Sequence, residues 1–338
     1  MYGCHAVLRR IAGRRGSFAA LAVAAALAGS LGAFATAASA QGWPQRPVKF
    51  ILPFGAGSAT DAAARMMSDK LSARWGKPIV IENKPGADGL LAIGAFVSAN
   101  DDHVLLYASS ASFNAHPYMH EKLPYELERD LAPIARVTDT ILTASVPAAT
   151  TPTTVAEFVA LARAQPNKLN AAGAAGVPEF TLGYFLHAHN LAVTKVPYRD
   201  ILQGVTDLGA GQIQFLLSSA APVRPLAQAG KVRMLAVTSR TRASFAPDVP
   251  TIYEAGFPAL AVETTAGLYG PASMPRELRE RLSKDVIAVV SDPVISERLV
   301  ATGQAINLGG PEDLTKTLRQ QAEQMATVAK ALGLKAGK

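Results

Sequence analysis

The chain contains a single cysteine, Cys4, among its 338 residues. Cys4 lies in an N-terminal segment that we expect to be removed, so the mature protein forms no disulfide. The scarcity of cysteine also excludes a thiol nucleophile, a cysteine-ligated zinc site and a small fold held together by disulfides. Hydrophobic cores must therefore stabilise the protein, and 49% of its residues are hydrophobic.

The chain also lacks a strong excess of positive charge when its N-terminal segment is not counted. Four arginines, at positions 9, 10, 14 and 15, precede an Ala/Leu-rich run over residues 19–35. Ala38-Ser39-Ala40 then supplies the small-x-small pattern of a cleavage site, which predicts a signal peptide over residues 1–40. Removing four arginines and no acid lowers the formal net charge from +7 to +3. Charge therefore gives no argument for a nucleic-acid partner.

The sequence lacks the usual catalytic and nucleotide-binding motifs. It has no Gly-x-Ser-x-Gly nucleophile elbow and no Gly-Lys-Ser/Thr phosphate loop, and the glycines at 55 and 57 lack the third glycine of a dinucleotide fingerprint. The histidine pairs His116/His120 and His187/His189 have no evident partner for metal ligation. We therefore predict no catalytic residue, no metal and no cofactor, although an exported α/β hydrolase using Ser58 or Ser109 stays open as an alternative.

The most informative stretch is the one that opens the mature chain. Val48–Leu52 is a short apolar run typical of a buried parallel strand, and a helical pattern runs from Ala62 to Leu71, with Thr60 and Asp61 as cap residues. The glycines between strand and helix leave amide N–H groups uncovered at the positive end of the helix, which is a seat for an anion. An ordinary βα turn explains the same glycines.

Short β-branched runs alternate with helical patterns along the rest of the chain, which predicts an α/β fold with two lobes. Val104–Ala108 reads as a strand that ends in a hydroxyl-rich loop over residues 109–114, and Gly173–Gly176 repeats the pattern of strand, glycine loop and helix start. We expect the first lobe to comprise residues 41–141, the second lobe residues 142–262, and the chain to return to the first lobe over residues 263–338. Such a layout suits capture of a small anion by closure of the two lobes.

Seven short motifs, in this order and spacing, resemble the Bug receptors, which are the TctC-type extracytoplasmic solute-binding proteins of tripartite tricarboxylate transporters. The motifs are Trp43-Pro-Gln-Arg-Pro-Val48, the loop from Pro53 to Asp61, Glu82 to Gly89, Lys122 to Tyr125, Val196 to Arg199, Ala229 to Thr238 and Pro247 to Thr251.

The resemblance implies a periplasmic binding protein of the two-lobed type II class, working with membrane permease subunits and expected to be a monomer. It implies a small carboxylate ligand, held largely by backbone N–H groups, hydroxyls and bridging waters. Four segments match the ligand-contacting loops of the family, and they give as expected ligand-binding residues Phe54, Gly55, Gly57, Ser58, Thr60, Asp61, Ser109, Ser110, Asn114, Ala174, Ala175, Gly176, Pro178, Phe180, Ser218 and Ser219.

The chain departs from the family pattern at two places. Gly173–Thr181 has fewer hydroxyl side chains than the usual loop, so backbone donors must contribute more there. Ser218-Ser219 stands where many members carry an aspartate able to pair with a ligand amine, which favours a neutral or anionic carboxylate over a cationic amino acid. Besides the hydrolase, a solute sensor for a signalling partner is a further alternative to a transport receptor.

Overall fold

Two mixed β-sheets with flanking helices form the protein. The computed structural model describes residues 42–174, 176–198, 200–262 and 264–337. The signal peptide predicted over residues 1–40 lies outside the described residues.

The eleven strands of the described residues divide between the sheets by chain position. They are β1 (Val48–Leu52), β2 (Ile79–Asn83), β3 (Val104–Ser109), β4 (Leu131–Thr140), β5 (Leu142–Pro147), β6 (Asn170–Gly173), β7 (Thr194–Lys195), β8 (Phe215–Ser219), β9 (Val232–Val237), β10 (Thr264–Pro271) and β11 (Gln304–Gly309). The first sheet has the order β11-β4-β10-β3-β1-β2, and the second has the order β7-β6-β8-β5-β9.

Helices cover both sheets and follow most of the strands. They are α1 (Ala59–Trp75), α2 (Leu90–Ala99), α3 (Ser110–Met119), α4 (Leu127–Asp130), α5 (Val155–Ala164), α6 (Val177–Ala188), α7 (Ile201–Gly209), α8 (Ala220–Gln228), α9 (Arg276–Val290), α10 (Pro293–Ala301) and α11 (Pro311–Ala331). Within the described part of the chain, none of these helices is both long and apolar enough to span a bilayer.

The predicted opening strand is observed with its predicted bounds, but the cap of the helix after it differs from the expectation. β1 lies between β2 and β3, parallel to both. α1 begins at Ala59, and its N-cap is Ser58, whose Oγ accepts a hydrogen bond from the Asp61 amide at 3.2 Å. The prediction that Thr60 and Asp61 cap the helix was therefore wrong, because Ser58 has the extended backbone conformation that a cap requires.

The strand directions bring several chain segments to one edge of the first sheet. β1 and β3 end there, and antiparallel β10 begins there, with Thr264 paired with Thr140 at the end of β4. β11 also begins at this edge, since Gln304 pairs with Thr140.

The second sheet presents an equivalent edge. The chain crosses to it through Ile141, and β5 begins at Leu142, which is paired with Ser219 at the end of β8. β6 runs parallel to β8, so Gly173 at its end lies at the same edge. One crossing residue after Thr140 therefore places the edges of the two sheets close together.

Each lobe has its own buried core. In the second lobe Phe158 stacks on Phe215, with ring centroids 4.5 Å apart, and Phe185 lies on the same cluster. In the first lobe Phe113 lies edge-on to Tyr125 and to Tyr269, at 5.9 and 5.2 Å. These contacts fix α3, α5 and α6 on their sheets.

A buried histidine fixes the turn over residues 86–89 against α3. His116 Nε2 lies 2.9 Å from the Asp88 carbonyl oxygen, and Nδ1 lies 2.8 Å from the Tyr125 hydroxyl. Both contacts suit a neutral imidazole that donates from Nε2 and accepts at Nδ1. Burial away from water lowers the pKa of His116 below its usual value, and the nearby His120 acts in the same direction.

We expect His116 to make stability fall on acidification. The unfolded chain takes up this proton near pH 6.5 and the folded protein only at a lower pH. The stabilisation from neutral His116 is therefore present above pH 6.5 and is lost as the pH falls through the lowered pKa. Melting temperature followed by circular dichroism from about pH 7.5 to 5 should drop less steeply for His116→Gln than for the wild type.

The matched control is His187→Gln, because His187 is exposed on α6. This variant should reproduce the wild-type pH profile. Equal slopes for the wild type and His116→Gln would contradict the expectation.

Candidate functional site

A cavity of about 630 Å³ lies where the edges of the two sheets face each other. Its lining from the first lobe comprises Pro53, Phe54, Thr60, the 86–89 turn, Ser109, Ala111, Ser112, Ala115, His116, Met119, Thr140, Thr264, Thr302 and Gly303. The second lobe contributes Leu142, Gly176, Val177, Pro178, Ser219 and Ala221. We call this cavity the interlobe cleft.

Four helices begin at the interlobe cleft. α1 contributes Thr60 in its first turn, and α3, α6 and α8 begin directly after Ser109, Gly176 and Ser219. The first N–H groups of a helix have no partner within it, and its dipole places partial positive charge there. Four such termini around one cavity make its walls attractive to an anion.

The helix starts of the two lobes differ in how far their amides are already bonded. In the first lobe Ser58 accepts from the Asp61 amide, and Ser109 Oγ accepts from the Ala111 amide at 3.3 Å. In the second lobe neither Gly176 nor Ser219 makes a side-chain cap bond to its helix. The second lobe therefore offers the less satisfied amide donors to a ligand.

Proline reduces the number of donors at these uncapped starts. Pro178 is the second residue of α6 and has no N–H, so the Val177 amide is the first donor of that helix. On α8 the Ala220 amide already donates to the Ile141 carbonyl at 2.9 Å, and the next residue, Ala221, belongs to the cleft lining. Each second-lobe helix thus presents few backbone donors, in defined positions.

The described lining residues include no lysine and no arginine. Asp88 is the one carboxylate among them. Electrostatic attraction for an anion must therefore come from backbone dipoles, with hydroxyl donors such as Ser109, Ser219 and Thr140.

Six of the residues expected from the sequence line the interlobe cleft, namely Phe54, Thr60, Ser109, Gly176, Pro178 and Ser219. Nine others do not belong to its lining, namely Gly55, Gly57, Ser58, Asp61, Ser110, Asn114, Ala174, Phe180 and Ser218. Ala175 lies outside the described residues.

Several of the polar residues among these nine bond to neighbouring protein groups instead. Asp61 is buried and accepts hydrogen bonds from the Gly57 amide at 2.9 Å, Arg65 at 3.0 Å and Asn83 at 2.9 Å. These bonds keep the pKa of Asp61 below its ordinary value, although burial opposes them as the largest single influence. Asp61 therefore holds the glycine loop against β2.

Ser110 and Asn114 connect α3 to the rest of the first lobe. Ser110 Oγ accepts a hydrogen bond from the Thr265 amide at 3.0 Å, and Asn114 Nδ2 donates to Gln321 on α11 at 3.4 Å. Both side chains are buried. Their hydrogen bonds hold α3 beside β10, which positions Ser109 at the cleft.

The interlobe cleft includes residues that sequence reasoning did not single out. Thr140, Leu142 and Thr264 lie at the crossings between lobes, and the predicted lobe boundaries near residues 141 and 263 were a usable signal for them. Thr302 and Gly303 reach the cleft only because β11 pairs with β4. No local pattern in the sequence indicates that pairing.

Among the described cleft residues, neither Ser58 nor Ser109 has a base within hydrogen-bond reach. Ser58 and Ser109 act as helix caps, and both nitrogens of His116, the histidine in the cleft lining, are occupied by Tyr125 and the Asp88 carbonyl. A serine nucleophile needs a base within hydrogen-bond reach. The described cleft residues do not supply that arrangement.

A group of side chains that could ligate a metal ion lies elsewhere, just before β3. Asp101, Asp102 and His103 offer ligand atoms within 4.8 Å of one another. Arg46 is paired with Asp101 at 2.6 Å, so part of the negative charge is already compensated. This group lies at the opposite end of β3 from Ser109 and takes no part in the interlobe cleft.

A second cavity, of about 680 Å³, adjoins the crossing at Thr140 and Ile141. Arg136, Asp139, Arg240 and polar residues of α11 line it. Its described lining contains no helix start and none of the expected ligand-binding residues. The interlobe cleft, where the helix starts converge, is therefore the candidate functional site.

Solved structures similar to this chain are two-lobed binding proteins. The periplasmic binding protein BugD is 27% identical and superposes with a TM-score of 0.73, with 87% of this chain and 99% of BugD covered. An R. palustris protein solved with adipate is 25% identical and superposes with a TM-score of 0.76. The superposition covers 87% of this chain and 99% of that protein. MatC from Rhodopseudomonas palustris, solved with malate, is 25% identical with a TM-score of 0.72, covering 85% of this chain and 99% of MatC.

These similarities confirm the predicted α/β fold of the two-lobed periplasmic-binding-protein type. Residues 63–334 match the tripartite tricarboxylate transporter family receptor, TctC. The match begins within α1 and runs past the end of α11, and it includes every strand of the two sheets except β1. The chain therefore belongs to the TctC family of tripartite tricarboxylate transporter receptors, as the motifs of its sequence indicated.

Proposed function

We propose that the protein is a periplasmic receptor that captures a small carboxylate in the interlobe cleft and delivers it to the permease of a tripartite tricarboxylate-type transporter. The observation that carries the proposal is the convergence of helix starts from both lobes on a cavity whose described lining has no cationic side chain. Such a site binds one carboxylate through directed backbone and hydroxyl donors.

Family membership and the ligands of two relatives support the same ligand class. Adipate and malate, seen in two of the similar structures, are both small carboxylates. We infer that Phe54, Thr60, Ser109, Gly176, Pro178 and Ser219 contact the ligand directly. The remaining expected residues of the described part of the chain act by holding these segments in place, and Ala175 stays an expected ligand contact.

Closure about the two crossings is the expected working motion. We propose lobe boundaries at residues 141/142 and 262/263, with residues 263–338 completing the first lobe. A ligand held between helix starts of both lobes stabilises only the closed arrangement, which is how a receptor reports occupancy to a permease. Export by the signal peptide over residues 1–40, a monomeric state and the lack of enzymatic activity or cofactor are part of this proposal.

The direct test is calorimetric titration of the mature protein with a panel of mono-, di- and tricarboxylates. Binding with one-to-one stoichiometry, and a melting temperature that rises with ligand concentration, is the expected result. Tight binding of a sugar or a metal ion, with no response to any carboxylate, would reject the proposal.

A charge placed at the start of α8 should weaken carboxylate binding without harming the fold. Ser219→Asp puts a carboxylate at the uncapped N-terminus of α8. There it stabilises the helix as a cap, but it also occupies the anion-binding position and repels the carboxylate of the ligand. Calorimetry should show affinity for the best carboxylate reduced by roughly tenfold or more.

Ser219→Asn is the matched control, since it has the same size and capping ability without the charge. It should keep affinity within a few-fold of the wild type. Equal losses of affinity in the two variants would show that the size of the side chain matters and its charge does not. Unchanged affinity in both variants would show that the start of α8 does not contact the ligand.

The hydrolase alternative makes a separate prediction. Because Ser109 is a helix cap without a base, Ser109→Ala should lower the free energy of unfolding by about 1 kcal/mol. Neither the wild type nor the variant should hydrolyse chromogenic esters in a spectrophotometric assay. Turnover by the wild type that disappears in Ser109→Ala or Ser58→Ala would favour the hydrolase.

A further inference from the structure

The turn over residues 86–89 has an unusual backbone at the wall of the interlobe cleft. Its four residues Gly86, Ala87, Asp88 and Gly89 all have positive φ, at 120°, 47°, 55° and 98°. Two of them carry side chains, for which this conformation is unfavourable. Strained backbone of this kind persists where the surrounding structure enforces it, and it concentrates at ligand-binding segments.

Several contacts enforce the turn. His116 Nε2 donates to the Asp88 carbonyl at 2.9 Å, and the Gly89 amide donates to the Gly86 carbonyl at 3.0 Å. Gly89 lies so close to β1 that an added Cβ would come within 3.0 Å of Pro53 Cβ. The direction of the Asp88 side chain is therefore fixed by buried groups of the first lobe.

The result is a carboxylate on the first-lobe wall of the cleft. The Asp88 side chain is 44% exposed and belongs to the cleft lining. The first-lobe lining also includes the apolar side chains of Phe54, Ala115 and Met119. The uncapped helix starts that attract an anion belong to the opposite lobe.

We propose that Asp88 determines specificity by repelling a second carboxylate, so that the receptor selects monocarboxylates with an apolar body over dicarboxylates. The proposal rests on the carboxylate-binding function inferred above. One carboxylate is held by the helix starts of the second lobe, and the other end of the ligand meets Asp88 and apolar side chains of the first lobe. A second negative charge there has no described cation to compensate it.

His120 lies beside Asp88, with its Nε2 3.2 Å from an Asp88 carboxylate oxygen. A protonated imidazole would offset part of the Asp88 charge, whereas a neutral one would not. His116 also faces the turn, but its nitrogens are already bonded. Measurements at about pH 8, where histidine side chains are ordinarily neutral, isolate the effect of Asp88.

The test uses three ligands of equal length that differ only at one end: hexanoate, 6-aminohexanoate and adipate. Corresponding sets of three ligands with four to eight carbons test the dependence of affinity on ligand length. Calorimetry on the wild type should show the monocarboxylate binding more tightly than the dicarboxylate of the same length. Asp88→Asn should raise dicarboxylate affinity by roughly threefold to thirtyfold, weaken the ω-amino acid, and change the affinity of the simple monocarboxylate least.

Asp88→Asn suits this test because asparagine has nearly the same shape and tolerates positive φ well. The carbonyl that accepts from His116 is unaffected, so the turn should keep its conformation. Asp69→Asn, at an exposed position of α1 outside the cleft lining, is the matched control and should change none of the three affinities.

The outcomes separate this proposal from the proposed function. If wild type and Asp88→Asn bind the three ligands of every set with the same pattern, Asp88 has no role in specificity, although carboxylate capture stands. Preference of the wild type for a dicarboxylate over its matched monocarboxylate, or failure to bind any monocarboxylate, also overturns the proposal. Failure of every carboxylate in the wider panel rejects the receptor function itself.

Discussion

The antiparallel pairing of Thr264 with Thr140 is the constraint on which the site depends. This pairing brings the returning chain beside the outgoing one at one edge of the first sheet. Because β5 begins only two residues after Thr140, the edge of the second sheet is held next to it. The interlobe cleft follows from these two connections.

Strand direction then decides what faces the cleft. Parallel β1 and β3 end at the shared edge, as do β6 and β8 in the other sheet, and a helix follows each of the four strands. Strand ends in an α/β sheet are followed by helix starts, so backbone amides are gathered at the same place. A receptor for a carboxylate can therefore work without lysine or arginine in the described lining of its cleft.

The two walls of the cleft have different electrostatic character. The second lobe has helix starts without side-chain caps, whereas the first lobe uses Ser58 and Ser109 to satisfy its own amides. The first lobe also carries Asp88 on a turn fixed by His116. The proposed orientation of the ligand, with its carboxylate toward the second lobe, rests on this asymmetry.

The sequence by itself determined the α/β class, the family and the segments that end at the cleft. Strand periodicity and glycine loops are local signals, and they indicated β1, Ser109 and Gly176, whereas Ser219 was expected only from the resemblance to the family. Local signals did not separate Ser219 from Ser218, because adjacent residues in a strand point to opposite faces. They did not separate Ser109 from Ser110 either, because the strand gives way to a helix between these two residues.

Only the tertiary structure placed Thr302, Gly303 and Asp88 in the cleft, since their positions depend on the pairing of β11 with β4 and on contacts of His116 that are distant in sequence.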